Sequence, residues 1–453
     1  MSFTHSSNSN GEPSSEQAPN KIGRNDITVK PDLPAFPLPE GCADADDALR
    51  RKAEWMLKDA GQDANDEYVS RLNKELDIIA ERGFANYLLI ISDVCEAVWE
   101  RGGIVGPGRG SACGLLVNYL LGITEVDPVR YGLLAERAIS YNPSVMLDID
   151  LDLDVKGQEI VFRYMAEKYG TDHVARIAKR QDSSNSGISI KKGGLLLGRK
   201  AISDYAPTTL MRDEKTGEDH FVSQYEPRHD GDMGPVEFDF IRQEDLSVSI
   251  LCQDDVESDD PETYRLFCDA DTDRIPWFES EDMKRYLKEL QPEKFEQLVA
   301  LYAISRPGLD SLIPEYVARR KGRRRRKCIV IPGTEDILKE TYGMMISQEQ
   351  LMAISSRVAG FNLEEQNRLR KVAGKFRIRS LVDGKYVEFL PLLRERFIER
   401  GAANGYDRAI LERFWSKVVC GDTAAYLFMK SHAVAYVMTS WRCANVKAHG
   451  YDK

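Results

Sequence analysis

The chain has 453 residues, 42% of them hydrophobic and 30% charged, with a formal net charge of −11. That length calls for two to four packed units, the composition is that of a globular chain, and no apolar run approaches the ~20 residues that span a bilayer. The acidic balance speaks against nucleic acid as a partner unless Lys and Arg gather in one groove.

In chain order, residues 1–34 are rich in Ser, Asn, Pro and Gly and predict a disordered tail. They show no basic flank followed by an apolar stretch, so no secretory signal is expected and the chain is placed in the cytoplasm. Eight cysteines without a CxxC pair and six scattered histidines predict reduced thiols rather than disulfides or zinc. From 44 to 100 the apolar residues recur at helical spacing, as in Ala48, Leu49, Ala53, Met56 and Leu57. A turn at Arg101-Gly102-Gly103 leads into the glycine-rich Gly106-Pro107-Gly108-Arg109-Gly110-Ser111, and the apolar run from 115 to 121 predicts a buried helix. There the glycines let the backbone approach a ligand. With Arg109, the Ser111 hydroxyl and the start of the following helix, they suit a triphosphate; a plain glycine-rich turn fits the same residues.

Next comes Asp148-Ile149-Asp150-Leu151-Asp152-Leu153-Asp154. In a strand, residues i and i+2 lie roughly 6.5–7 Å apart on one face, so the four aspartates point one way and the apolar residues the other. Such like charges are tolerable on a solvated edge strand, or where a divalent cation sits between them. A helix is expected over 158–169, a flexible connection over 181–189, and short strands around 195–197, 221–222 and 236–240. Asp239, between Phe238 and Phe240, offers a third carboxylate. From about 261 to the end the pattern is helical. A basic loop interrupts it at Arg319, Arg320, Lys321, Arg323, Arg324, Arg325, Arg326 and Lys327, and more cations follow at Arg368, Arg370, Lys371, Lys375, Arg377 and Arg379. In an otherwise acidic chain these runs predict a groove for template, primer or nucleotide phosphates. The expectation is an α+β chain: a mixed sheet with helices over 35–250, then a mostly helical domain over 251–453.

These motifs, taken together, resemble the C family of bacterial replicative polymerases, the DNA polymerase III alpha subunits. The likeness runs over residues 33–449. It includes the glycine-rich loop, the acidic strand, Phe238-Asp239-Phe240, Arg306-Pro307-Gly308, Gln348-Glu349-Gln350, Leu369-Arg370-Lys371, Lys430-Ser431-His432 and Ala435-Tyr436. The resemblance implies a nucleotidyltransferase-type palm followed by a helical fingers domain. It implies that Asp150, Asp152 and Asp239 bind two Mg²⁺ ions, with Asp148 supporting them from behind. It places Arg109, Gly110 and Ser111 of the palm and Arg370, Lys371, Lys430 and His432 of the fingers on the incoming dNTP. It also implies primer-template DNA, held in part by Arg319, Arg320, Arg323, Arg324, Arg325 and Arg326, and other replisome subunits as partners.

Departures from the family are expected as well. The chain starts where the family's N-terminal PHP domain meets the palm, shows no 3′–5′ exonuclease insertion, replaces most of the thumb with the Ser/Asn connection, and stops after the last fingers motif. Glu237 stands where relatives carry Lys, and Met429 where they carry Asn. The expected activity is template-directed DNA synthesis. A catalytically weak or inactive remnant that binds DNA or a replisome partner is the alternative, and a nucleotidyltransferase acting on another acceptor stays open.

Overall fold

The computed structural model describes residues 31–139, 145–180, 188–212, 217, 219–224, 234–252, 260–306, 309–323, 330–373, 389–421 and 427–450. Three helices open it: α1 (Ala45–Asp59), α2 (Asp66–Arg82) and α3 (Ala85–Glu100). Asp44 caps α1 by accepting from the Asp47 amide, Asn65 caps α2 by accepting from Glu67, and Gly83 ends α2 in the left-handed conformation. The short helices α4 (Leu116–Leu120) and α5 (Ala135–Ala138) follow the glycine-rich loop.

The strands are β1 (Leu151–Leu153), β2 (Val174–Arg180), β3 (Ile188–Leu197), β4 (Thr208–Arg212), β5 (Asp219–Ser223) and β6 (Val236–Arg242), with helix α6 (Val155–Tyr169) between β1 and β2. They form one mixed sheet in the order β1-β6-β3-β2-β5-β4. β1 runs parallel to β6 with Leu151 opposite Phe240, and β6 runs antiparallel to β3 with Asp239 opposite Gly194. The sheet and the first helices share one core, in which Leu88, Ile90, Leu153, Val161, Leu195 and Phe240 are buried.

The rest is helical: α7 (Leu246–Ser249), α8 (Pro261–Asp269), α9 (Glu281–Leu290), α10 (Phe295–Ile304), α11 (Ile313–Arg320), α12 (Gln348–Ala359), α13 (Leu363–Val372), α14 (Phe389–Ala403), α15 (Arg408–Phe414) and α16 (Lys430–His449). Capping boxes at Ser347/Gln350 and Asn362/Glu365 start α12 and α13. Two apolar cores hold these helices. One surrounds α8, α10 and α16 and also takes in Cys113, Val126 and Leu133 from the first half; the other surrounds α12, α14 and α15. The α+β expectation therefore holds: a sheet with helices is followed by helices alone. No described helix is long and apolar enough to cross a membrane.

Several local expectations are corrected. Residues 1–30 of the predicted tail lie outside the described residues, but the end of that segment is packed: Leu33 is buried, and Asp32 accepts from Arg199 and Tyr205. Ile188 and Ser189, read as flexible, pair with Arg180 and Lys179 in the β2–β3 ladder; 181–187 lie outside the described residues. β2 and β4 were not anticipated. Arg319 and Arg320 lie on α11 rather than in a loop, and 324–329 and 374–388 lie outside the described residues.

Candidate active site

Only residues 151–153 of the acidic segment form regular strand, because Asp154 leaves it to cap α6. Its Oδ1 accepts from the amides of Gly157 at 2.7 Å and Ile104 at 2.9 Å. A carboxylate there satisfies open helix amides and complements the helix dipole. The four aspartates expected on one strand face are thus divided: Asp152 lies in the strand, Asp148 and Asp150 precede it, and Asp154 caps the helix. Ile149, Leu151 and Leu153 are buried, Asp148 is exposed, Asp150 is half-buried and Asp152 is only 3% exposed. The parallel register of Leu151 with Phe240 sets Asp150, one residue earlier, beside Asp239 on β6, about one strand spacing away.

Electrostatics reflect that crowding. Burial, then the carboxylates of Asp148 and Asp239, push Asp150 up to about 7. Burial likewise pushes Asp152 up to about 6, against the opposing pull of the Arg109 guanidinium. Two carboxyls raised in this way beside a third acid are ones that a hard divalent cation with oxygen preference would relieve. As it stands, no described group of three or more His, Cys, Asp or Glu is arranged around a metal position. Two of the three carboxylates are held by cations instead. Arg109 Nη1 lies 3.1 Å from Asp152 Oδ1, and Lys191 Nζ lies 2.8 Å from Asp239 Oδ1. The donor chemistry fits a divalent ion; occupancy requires these cations to give way.

The glycine-rich loop is bound to this strand. Val105 bridges to Leu153, and the Gly106 amide donates to the Asp152 carbonyl at 2.7 Å. A Cβ on Gly106 would sit 3.1 Å from that of Asp152, so the close approach favours glycine. Gly110 has φ 61, the left-handed region. Its amide donates to His432 Nδ1 at 3.1 Å, and its carbonyl accepts from the Ser431 hydroxyl at 2.7 Å. Arg109 donates through Nη2 to the Tyr436 hydroxyl, and Tyr436 stacks on Trp277 with centroids 4.3 Å apart. Burial first, then Arg109 and Arg306, push His432 down to about 4. The neutral ring can therefore accept the Gly110 amide near neutral pH.

One expectation for this loop fails. The start of α4 does not face an open ligand position, because the buried Glu75 accepts the Val117 amide on Oε2 at 3.0 Å and pairs with Arg71. The helix terminus is already satisfied from within.

The remaining predicted residues lie along the same network. Glu349 accepts the amides of Lys430 and Ser431 at the start of α16. Lys430 Nζ is engaged by Glu340 at 2.6 Å and the Tyr131 carbonyl at 2.7 Å. Arg370 donates to Asn367, and burial followed by the neighbouring Arg137 pushes it down to about 9; Lys371 is exposed. Among the basic run, Arg319 is buried against Glu315 and the Tyr342 carbonyl, Arg320 pairs with Glu293, and Arg323 is exposed. Sequence reasoning missed Lys191, whose ammonium also lies 2.6 Å from Glu237 Oε1. The acid that looked misplaced at Glu237 has its cation on the next strand. Tyr436, Glu349 and Glu75 were also missed as partners, since none has a local sequence signal for its contact.

Comparison with known proteins finds one family along both halves of the chain. The family model for the bacterial DNA polymerase III alpha NTPase domain matches residues 47–187, and that for the bacterial DNA polymerase III alpha subunit finger domain matches 239–396. DNA polymerase III subunit alpha from Neisseria meningitidis is 30% identical over 507 residues, covering 92% of this chain and 43% of the relative. The Bacillus subtilis subunit is 31% identical over 494 residues, with 92% and 43% covered; the Treponema pallidum subunit is 28% identical over 499, with 92% and 41%. The chain thus spans less than half the length of these relatives. The 507 aligned positions exceed its 453 residues, so within the matched span the relative carries segments with no counterpart here.

Proposed function

The chain belongs to the family of the bacterial DNA polymerase III alpha subunits, and on that premise we propose that it is a DNA polymerase core. It adds deoxynucleotides from dNTPs to a primer 3′-hydroxyl, with pyrophosphate as the leaving group, in the cytoplasm and in contact with other replisome subunits. The palm comprises residues 35–250 and the fingers 251–453. The observation that carries the reading is the parallel register of β1 with β6, which brings Asp152 of β1 and Asp150 just before it near Asp239 of β6, with Arg109 paired to Asp152.

Asp150, Asp152 and Asp239 would hold two Mg²⁺ ions, which when bound lower the pKa of the primer hydroxyl and offset charge on the departing pyrophosphate. The chain's own residues position and neutralise. Arg109, held by Tyr436, offers its guanidinium to the triphosphate, and the neutral His432 fixes the Gly110 amide so that the Gly110-Ser111 turn keeps its shape. Arg370, Lys371 and Lys430 supply positive charge from the fingers, and Lys191 stands where its charge can meet the same phosphates. Asp148 supports Asp150 electrostatically. Arg320 and Arg323, together with Arg324, Arg325 and Arg326 outside the described residues, contribute to holding template; Arg319, being buried, does so only by supporting α11.

Primer extension by the purified chain in Mg²⁺ tests this. Synthesis that disappears in Asp150→Asn with Asp152→Asn supports the reading, and an unchanged rate in that variant contradicts it. A wild-type chain that binds DNA without extending it would favour the inactive binding module.

A further inference from the structure

Around the Ser/Asn connection that the resemblance reads in place of most of the thumb, β2 and β3 pair as an antiparallel ladder, and that ladder forms part of a cleft of about 2000 Å³. The cleft crosses one face of the sheet. Asp150 and Asp239 stand at its β1–β6 end, α6 contributes Phe162 and Arg163 along its side, and β3, β2, β5 and β4 continue its floor. Its lining holds more Lys and Arg than Asp and Glu, the reverse of the whole chain.

At the β1–β6 end the cations sit in ion pairs with the acids, Lys191 with Glu237 and Asp239 and Arg242 with Glu244, whereas the exposed bases lie farther along it. The acids are Asp150, Asp239, Glu244 and Asp245 on the β1–β6 side, with Glu159 on α6. The bases Lys179, Lys192 and Arg212 are exposed on β2, β3 and β4, with Arg163 exposed on α6. Arg176 lies between them and is rigidly placed. Its guanidinium sits 3.8 Å over the Phe162 ring and donates to the carbonyls of Lys191 and Lys192. From β6 to β4 there are four strand steps, roughly 19 Å at 4.8 Å each. That is the axial rise of about five to six base pairs at 3.4 Å per step.

We propose that this sheet face, through Arg163, Arg176, Lys179, Lys192 and Arg212, binds the phosphate backbone of duplex DNA next to the carboxylates, in place of a separate thumb. The inference rests on the polymerase reading for the identity of its ligand. Phosphate neutralisation by Lys and Arg releases condensed counterions, so each contact steepens the salt dependence of binding.

The test is equilibrium binding of a fluorescent primer-template duplex to the whole chain across 50–200 mM salt, without Mg²⁺ or dNTP. The triple variant Lys179→Ala, Lys192→Ala, Arg212→Ala alters only exposed side chains, and its thermal midpoint verifies the fold. The expected result is weaker duplex binding, with the slope of log K against log[salt] shallower by about three. Removing Arg51 and Lys58 from α1, which do not line the cleft, leaves that slope unchanged. An unchanged slope in the triple variant, or a loss confined to single-stranded DNA, overturns the proposal. Because no catalysis is read, the outcome separates cleanly from failure of the polymerase reading: a chain that never extends primers yet loses its slope in the variant retains this surface as a duplex-binding site.

Discussion

Two charge clusters stand out in the sequence, the aspartates of 148–154 and the basic run of 319–327, and the fold treats them in opposite ways. Asp150 remains crowded with Asp148 and Asp239 beside a parallel strand pair, and burial, joined at Asp150 by repulsion from those carboxylates, keeps Asp150 and Asp152 holding their protons unusually well. Arg319 instead finds Glu315 four residues earlier on α11, and Arg320 finds Glu293. The carboxylates stay crowded even with cations beside two of them, Arg109 at Asp152 and Lys191 at Asp239. Arg319, absorbed by a partner one turn away, holds its helix in place instead.

That contrast can be broken most directly at the carboxylates. Asp150→Asn with Asp152→Asn should lower the primer-extension rate roughly a thousand-fold or more, since several kcal/mol of charge stabilisation are lost at 1.36 kcal/mol per tenfold. Retained activity in a steady-state extension assay would mean the crowding is incidental. The matching change in the basic run, Arg319→Ala, should act on stability instead. It strands Glu315 in a buried position, so denaturant unfolding should show a loss of about 3 kcal/mol with duplex affinity per folded molecule unchanged. A drop in affinity without a drop in stability would reverse the assignment.

Much of the fold was legible because its signals are local. The helices of 45–100 follow from 3.6-residue periodicity, and α6 and the strand positions of β3, β5 and β6 from short apolar runs. The Arg319–Glu315 pair was readable too, at i,i+4 spacing, but the density of the run drew attention from it. What could not be read depends on register between distant segments. Lys191 reaches Glu237 and Asp239 only because β3 lies antiparallel to β6, and Glu75 meets the start of α4 only because α2 packs there. Asp154 illustrates a competing demand: strand alternation placed it with the other aspartates, while the following helix required a cap.

A smaller effect sharpens the same comparison through pH. The carboxyls of Asp150 and Asp152 are raised in the folded chain above their ordinary range. They therefore stabilise the metal-free fold fully below about pH 4, and that contribution is lost as pH rises through about 6 to 7. Mg²⁺ competes with those protons, so its affinity should climb as pH rises through the same window, by up to about tenfold per pH unit per proton displaced. Isothermal titration at pH 6 and pH 8 measures it, and equal affinity at both values would show that these carboxyls do not meet the ion. Smaller again is Tyr436→Phe, which removes one partner of Arg109 while keeping the stack on Trp277. It should raise the KM for dNTP by about fivefold, the size of one net hydrogen bond of about 1 kcal/mol, with little change in melting temperature.

On the proposed function, the β1–β6 carboxylates and the Arg109 loop form one site for a metal-bound triphosphate. Thermal unfolding with dNTP and Mg²⁺, each alone and together, tests it without requiring turnover. A ligand at about 100 times its Kd stabilises the native state by about 2.7 kcal/mol. A clear upward shift is expected in the wild-type chain only when dNTP and Mg²⁺ are both present, and none in Asp150→Asn with Asp152→Asn. No joint shift in the wild-type chain, or an equal one in the variant, would contradict it.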